Sequence, residues 1–150
     1  MRFQTILAAG ASLLTLCRPA RIVGVAVPET IKPGDTFNAI IEVENYIQSV
    51  YDVAIAFGIA PGSGYPGSLG TPITSGYLGP DHSNTLQNIS YAMTMPASTA
   101  IGQAKFAAAL LSLYGAVSDP TITSFNVSVT IGDSTSSNLV SSNGFSSVSA

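Results

Sequence analysis

Three segments of this chain alternate between apolar and polar or small residues, and this period of two constrains the fold more than any other feature. The segments are residues 36–46, 51–60 and 121–131. In the last of them, the odd positions from 125 to 131 are all apolar and the even positions from 124 to 130 are all polar. Because successive side chains of a strand point to opposite faces of its sheet, the pattern predicts strands with one buried face.

Four further segments are predicted to be strands from their length and composition. Residues 22–27 and 73–78 are short, whereas residues 85–93 form a longer strand with Ile89, Tyr91 and Met93 facing inward. Residues 106–114 are apolar on both faces, as in a central strand, although their alanine and leucine content also fits a helix. About seven strands at near-regular spacing predict an all-β fold, an immunoglobulin-like antiparallel β-sandwich.

The first twenty residues have the order of a secretion signal. Arg2 provides the positive start, residues 3–16 are mainly apolar, and the pattern breaks from Cys17 to Ala20. The apolar run is shorter than the roughly 20 residues that span a bilayer. We therefore predict that residues 1–20 are a signal peptide, cleaved after Ala20 or after Cys17. Either cut removes the only cysteine, so the mature domain is expected to hold together without a disulfide.

The predicted domain covers residues 21–133 and is followed by a serine-rich tail, residues 134–150. The tail contains many serines and no charged side chain. Such a composition offers little apolar surface to bury, so we expect a disordered, flexible C-terminal tail.

The charge balance of the predicted mature chain excludes several classes of partner. Arg2 and Arg18 fall in the signal, so three basic side chains remain against eight acidic ones, a net charge of −5. Three scattered bases offer no surface for nucleic acid or for an anionic membrane. No second long apolar segment suggests insertion into a membrane. We expect a monomer whose partner is a protein or a neutral ligand.

Residue types that carry chemistry are few and scattered. His82 is the only histidine, whereas a metal site needs several converging ligands. Glu42 and Glu44 share a strand face, where such pairs more often solubilise than catalyse. The glycine-rich segment 61–70 lacks the Lys-Ser/Thr ending of a phosphate-binding loop. We therefore predict no enzymatic activity, no metal site and no cofactor.

Two segments are candidate surfaces for binding a protein. The connection 45–51 joins two strong strands and contains two tyrosines and an isoleucine, which fit a binding surface or a packing feature equally well. The 61–70 segment is either a recognition loop with an aromatic contact or a plain connector. The candidate residues are Asn45, Tyr46, Ile47, Gln48, Tyr51 and Tyr65.

Two N-glycosylation sequons occur after the signal. They are Asn88-Ile89-Ser90 and Asn126-Val127-Ser128. Both asparagines fall on the outward face of their predicted strands. Since the chain is predicted to be exported, we expect a glycan on at least one of Asn88 and Asn126.

Five sequence blocks occur in a fixed order between about residues 20 and 133. They are ENYIQSV at 44–50, DVAIAFG at 52–58, YLGP at 77–80, SLYGA at 112–116 and NVSVTIGD at 126–133. Together these blocks resemble the fungal necrosis-inducing secreted protein family. The resemblance is weaker at the signal junction and in the serine-rich tail.

The resemblance implies a secreted effector. Members of that family are secreted by plant-associated fungi, enter the host cytoplasm and bind plant receptor-like and receptor-associated cytoplasmic kinases. They suppress pattern-triggered immunity and can induce necrotic cell death, a hypersensitive response. No enzymatic activity is attributed to them. The alternative that the residues leave open is a cell-wall or carbohydrate-binding module, although the chain lacks the tryptophan that sugar platforms favour.

Overall fold

The computed structural model describes residues 19–149, and all ten regular elements in that range are strands. The predicted signal peptide lies outside the described residues except for Pro19 and Ala20. The strands are β1 (Ala20–Pro28), β2 (Thr30–Ile31), β3 (Thr36–Asn45), β4 (Val50–Pro61), β5 (Thr71–Tyr77), β6 (Ile89–Thr94), β7 (Gly102–Tyr114), β8 (Asp119–Ile131), β9 (Leu139–Ser141) and β10 (Ser146–Ser149). Within the described range no helix is long and apolar enough to cross a membrane.

Two sheets pack face to face, which confirms the predicted all-β sandwich. The four-stranded sheet has the order β6-β3-β1-β9, and the larger sheet has the order β10-β8-β7-β4-β5. The short β2 pairs parallel with β8, and the other pairs are antiparallel. The seven longer strands correspond to the seven predicted segments, while β2, β9 and β10 were not predicted.

Residues 106–114, whose composition fits either a helix or a strand, lie in β7, the central strand of the larger sheet. β7 pairs with β4 on one side and with β8 on the other along nearly its whole length. Its alternate residues Phe106, Ala108 and Leu110 are buried between the sheets. Packing from two sides thus overrides the helix propensity of alanine and leucine.

Aromatic side chains from both sheets form the middle of the core. The Phe106 ring lies 5.9 Å from that of Phe57 in the same sheet and 6.3 Å from that of Phe37 in the opposite sheet. All three side chains are buried. Full burial of such a side chain contributes about 1.5–3 kcal/mol. Burial of these rings therefore helps to hold the two sheets together.

The serine-rich C-terminal segment differs from the prediction of a disordered tail. After β8 the chain crosses to the smaller sheet, where β9 pairs with β1, and returns to pair β10 with β8. Hydrogen bonds order this segment. The Ser142 N–H donates to the Val25 carbonyl oxygen at 2.9 Å, and the Ser142 hydroxyl oxygen accepts from the Val25 N–H at 3.2 Å. Composition underestimates the order of such a segment, because serine hydroxyls form hydrogen bonds with backbone groups and apolar side chains do not.

The start of β1 includes residues before the predicted domain boundary. Ala20 is 1% exposed and lies opposite Asn45 in the register between β1 and β3. The Pro19 carbonyl oxygen accepts a hydrogen bond from the Tyr46 N–H at 2.9 Å. Pro19 and Ala20 therefore belong to the folded domain, while the cleavage site stays a prediction.

Candidate functional site

Tyr46, in the connection between β3 and β4, has partners within the fold. Its ring meets the Tyr114 ring edge to face, with centroids 5.9 Å apart. The Arg21 guanidinium lies 4.5 Å from the centroid of the Tyr46 ring and forms an ion pair with Glu44 at 2.7 Å. These contacts tie the connection to the start of β1. Tyr46 is therefore half-buried and packs the end of the sandwich.

The neighbours of Tyr46 point outward at the tip of the same connection. Ile47, Gln48 and Asn45 are exposed. Ile47 is one of the most exposed large apolar side chains of the described chain. These three residues remain candidates for contact with a partner.

Tyr51 lies on a different surface, the outer face of the larger sheet. Its hydroxyl is 2.7 Å from the hydroxyl of Tyr77 on the edge strand β5, and either group can donate. This hydrogen bond, with desolvation, raises the pKa of Tyr51 above its ordinary value. The hydrogen bond holds the two tyrosines together at one end of the outer face.

An apolar row crosses the whole outer face of the larger sheet. The register places one residue from each of β5, β4, β7, β8 and β10 side by side. Tyr77 is 67% exposed, Ile122 is 53% exposed and Val148 is 72% exposed. We call this row, with Tyr51, the apolar face. Its members are Tyr51, Ala54, Tyr77, Leu111, Ile122 and Val148.

The apolar face carries no acidic group, although the chain as a whole is acidic. On the outer side of the described strands of this sheet, Lys105 is the only charged side chain. The outer side of the smaller sheet, in contrast, carries Glu42 and Glu44. Exposed apolar patches on monomeric proteins often mark interaction sites. The apolar face is therefore the best candidate site for protein binding.

The glycine-rich loop 61–70 folds back over one end of this outer face. A Cβ atom at Gly58 would overlap the Leu69 carbonyl oxygen, so the missing side chain lets the loop lie directly on β4. A Cβ atom at Gly64 would lie 2.9 Å from the Lys105 Cβ atom. Tyr65 is exposed on this loop. The loop thus packs directly against one end of the outer face of the sheet.

Both sequon asparagines are exposed. Asn88 precedes β6, and its Oδ1 atom accepts a hydrogen bond from the Val43 N–H at 3.1 Å. Asn126 lies on the outer face of β8, opposite Ala107 in the register with β7. Exposure makes both side chains accessible, and their glycosylation stays a prediction.

The charged residues considered for chemistry are separated in the structure. His82 is exposed in the turn after β5. The Glu42 carboxylate accepts from the Ser141 hydroxyl at 2.8 Å, whereas Glu44 pairs with Arg21. Between residues 19 and 149, no three His, Asp or Glu side chains come close enough to hold a metal ion.

Sequence reasoning missed one buried carboxyl group. An irregularity between Asp52 and Ala54 places Asp52 opposite Ser112, and both side chains are buried. The Ser112 hydroxyl donates to Asp52 Oδ1 at 2.6 Å. Burial raises the pKa of the Asp52 carboxyl above its usual range, while this hydrogen bond lowers it by less. The Asp52 N–H also donates to the Ser83 hydroxyl oxygen at 2.8 Å, so this residue organises the end of the sandwich.

Fold and surface together define a small β-sandwich protein with an exposed apolar face. The sequence profile of the Nis1 family matches residues 19–130. This chain therefore belongs to the Nis1 family.

Two relatives cover nearly the whole chain. Necrosis-inducing secreted protein 1 of Colletotrichum orbiculare is 52% identical over 143 residues, which cover 95% of this chain and 88% of that protein. The protein of the same name from Colletotrichum higginsianum is 53% identical over 143 residues, covering 95% of this chain and 99% of that protein.

Among solved structures, a superoxide reductase (neelaredoxin) from Ignicoccus hospitalis is similar to this chain with a TM-score of 0.46 and 9% identity. The similarity covers 75% of this chain and 82% of that chain. A likeness this low carries no information on function.

Proposed function

We propose that this protein is a secreted fungal effector that induces necrotic cell death in plants, and that it acts by binding host proteins without chemistry of its own. The observation that carries the proposal is membership of the Nis1 family, with more than 50% identity to two proteins named necrosis-inducing secreted protein 1. The predicted signal peptide agrees with export. The single histidine and the carboxylates are scattered over the described residues, which is in keeping with a protein that acts by binding.

The partners that we propose are plant receptor-like and receptor-associated cytoplasmic kinases. Binding them in the host cytoplasm would suppress pattern-triggered immunity. This finer statement is supported by the family resemblance of the sequence blocks.

The apolar face supports binding of a protein in particular. A stable protein–protein interface buries roughly 1,600 Å² in total and concentrates its energy in a few aromatic and apolar residues. Tyr51 and Tyr77 provide two aromatic side chains joined by a hydrogen bond of 2.7 Å. Ile122 and Val148 extend the same surface to the opposite edge of the sheet.

Co-precipitation with the cytoplasmic domains of plant receptor-associated kinases tests this proposal. The informative variant is Ile122→Asp, which puts a charge within the apolar face at an exposed position. The matched control is Ala92→Asp on β6, an exposed position on the opposite sheet. We expect the wild type and Ala92→Asp to bind, and Ile122→Asp to lose binding while keeping the circular dichroism spectrum of the wild type. A folded wild-type protein that binds no such kinase would contradict the proposal.

A cell-wall or carbohydrate-binding module is the second candidate. The observation in its favour is an open cavity beside Tyr65, which hydroxyl and amide side chains line together with alanines. Retention on chitin or β-glucan, with no binding to kinases, would favour this candidate.

A further inference from the structure

Two open cavities lie on either side of Asn126, between the 61–70 loop and the C-terminal segment, and we call them together the trough. One part is an open cavity of about 610 Å³ whose lining includes Tyr65, Ser124 and Asn126. The other part has a volume of about 600 Å³ and is lined by Asn126 and Asn143 among others. Asn126 contributes to both parts.

The second part of the trough lies where β8 lacks a strand partner over part of one edge. On the side away from β7, β10 pairs with residues 121–124 of β8, and β2 pairs with residues 130–131. No described strand pairs with residues 125–129 on that side. Asn126 projects from this gap on the outer face, where it is exposed.

The chemistry of the lining suits a neutral sugar chain. Hydroxyl and amide groups supply donors and acceptors, Ala107 and Ala109 form part of an apolar lining, and Tyr65 adds an exposed aromatic side chain. Lys105 is the only charged side chain in the lining of either cavity, and its Nζ atom donates to the Ser128 hydroxyl at 2.9 Å. The trough therefore fits a neutral oligosaccharide better than an ionic ligand.

We infer that this oligosaccharide is the protein's own glycan, attached to Asn126, and that its first sugars lie in the trough. Asn126-Val127-Ser128 is a sequon whose acceptor lies inside the trough. Transfer forms a bond from Asn126 Nδ2 to C1 of the first N-acetylglucosamine. A lipid diphosphate leaves from C1 of the donor oligosaccharide, and Nδ2 loses a proton. The inference rests on the proposed export of the chain, because the donor is found in the secretory pathway.

Asn88 is the internal comparison. It lies at the edge of the smaller sheet, opposite to the trough, and its side chain is exposed beside Val43. A glycan on Asn88 is therefore expected to project into solvent. The two sequons should differ in how readily an enzyme removes their glycans from the folded protein.

The test uses the full chain secreted from a eukaryotic host. Intact mass is measured for the wild type, Asn126→Gln and Asn88→Gln. Each single-site glycoform is then treated, still folded, with peptide-N-glycosidase. We expect a glycan on Asn126 in the wild type, with release at Asn126 at least about tenfold slower than at Asn88. Tyr65→Ala should speed release at Asn126 and leave Asn88 unchanged.

A second pair of variants keeps the test decisive if Asn126→Gln fails to fold. Ser128→Thr preserves the sequon and should keep the glycan, whereas Ser128→Ala removes the sequon and should lose it. A secreted wild-type protein with bare Asn126 would overturn the inference, as would equal release rates at the two sites. A bare protein that binds chitobiose in the trough would also overturn it and would support a carbohydrate-binding function. Absence of the chain from the medium would instead contradict the proposed export, and the inference with it.

Discussion

Replacing Phe145 with alanine tests the ordered C-terminal segment most directly. Phe145 lies between β9 and β10, and its ring is 6.2 Å from the Phe125 ring in an edge-to-face arrangement. The Arg21 guanidinium lies 5.3 Å from the centroid of the same ring. A mobile tail would make neither contact.

The expected loss of stability follows from these contacts. The aromatic pair contributes about 0.5–1.5 kcal/mol, and an exposed cation–π contact contributes about 0.5–1 kcal/mol. Since Phe145 is 43% exposed, it gains only about half of the transfer free energy of a buried phenylalanine, or ~1 kcal/mol. These terms share one ring and are not independent, so we expect Phe145→Ala to cost about 2 kcal/mol.

Chemical denaturation followed by circular dichroism measures this difference in the free energy of unfolding. In a thermal scan the same change corresponds to a shift of roughly 6–10 °C for a domain of this size. The matched control is Val148→Thr, an exposed and β-branched replacement on β10, which should change stability by about 0.5 kcal/mol or less. Equal stability of Phe145→Ala and the control would refute the ordered segment.

Three further changes test other parts of the structure. The raised pKa of buried Asp52 means that its stabilising contribution is full below its unfolded pKa of about 3.9 and is lost as pH rises through the higher folded pKa. Urea titrations between pH 4 and 7 should therefore show Asp52→Asn gaining stability relative to wild type with rising pH, and a constant difference would contradict this. A Cβ atom at Gly70 would overlap the Ile59 carbonyl oxygen. Gly70→Ala should thus cost clearly more in thermal unfolding than Gly62→Ala, whose positive φ carries a penalty of about 1 kcal/mol in open space. A chain that begins at residue 21 should be about 1–2 kcal/mol less stable to denaturant than one that begins at residue 18, because it lacks a buried methyl group and one backbone hydrogen bond; equal stability would count against the observed start of β1.

Alternation predicted the sandwich because one face of each long strand is buried. The pattern in 121–131 places Phe125 and Val127 in the core, and both are buried. It failed for Asp52, which a strict period of two from Ile55 would leave on the outer face. The irregularity between Asp52 and Ala54 moves this carboxyl inward, and no residue type in the sequence marks it.

The apolar face could not be predicted from any one segment. Tyr77, Leu111, Ile122 and Val148 come from four strands, and each is an ordinary apolar residue in its own segment. Only the register between strands puts them side by side, and register depends on the whole sheet. The tail was mispredicted for a related reason, since its order comes from partners on β1 and β8 that are distant in sequence.

Transient expression in plant leaves tests the central claim, that the chain is an effector that acts through the apolar face. The chain is expressed with and without residues 1–17, so that Pro19 and Ala20 stay in place, together with the Ile122→Asp and Ala92→Asp variants, and protein levels are matched by immunoblot. We predict necrosis with the wild type and with Ala92→Asp, and its loss with Ile122→Asp. A wild-type protein that accumulates in the leaf without causing necrosis would contradict the account. Equal necrosis from all the variants would show that the protein does not act through the apolar face.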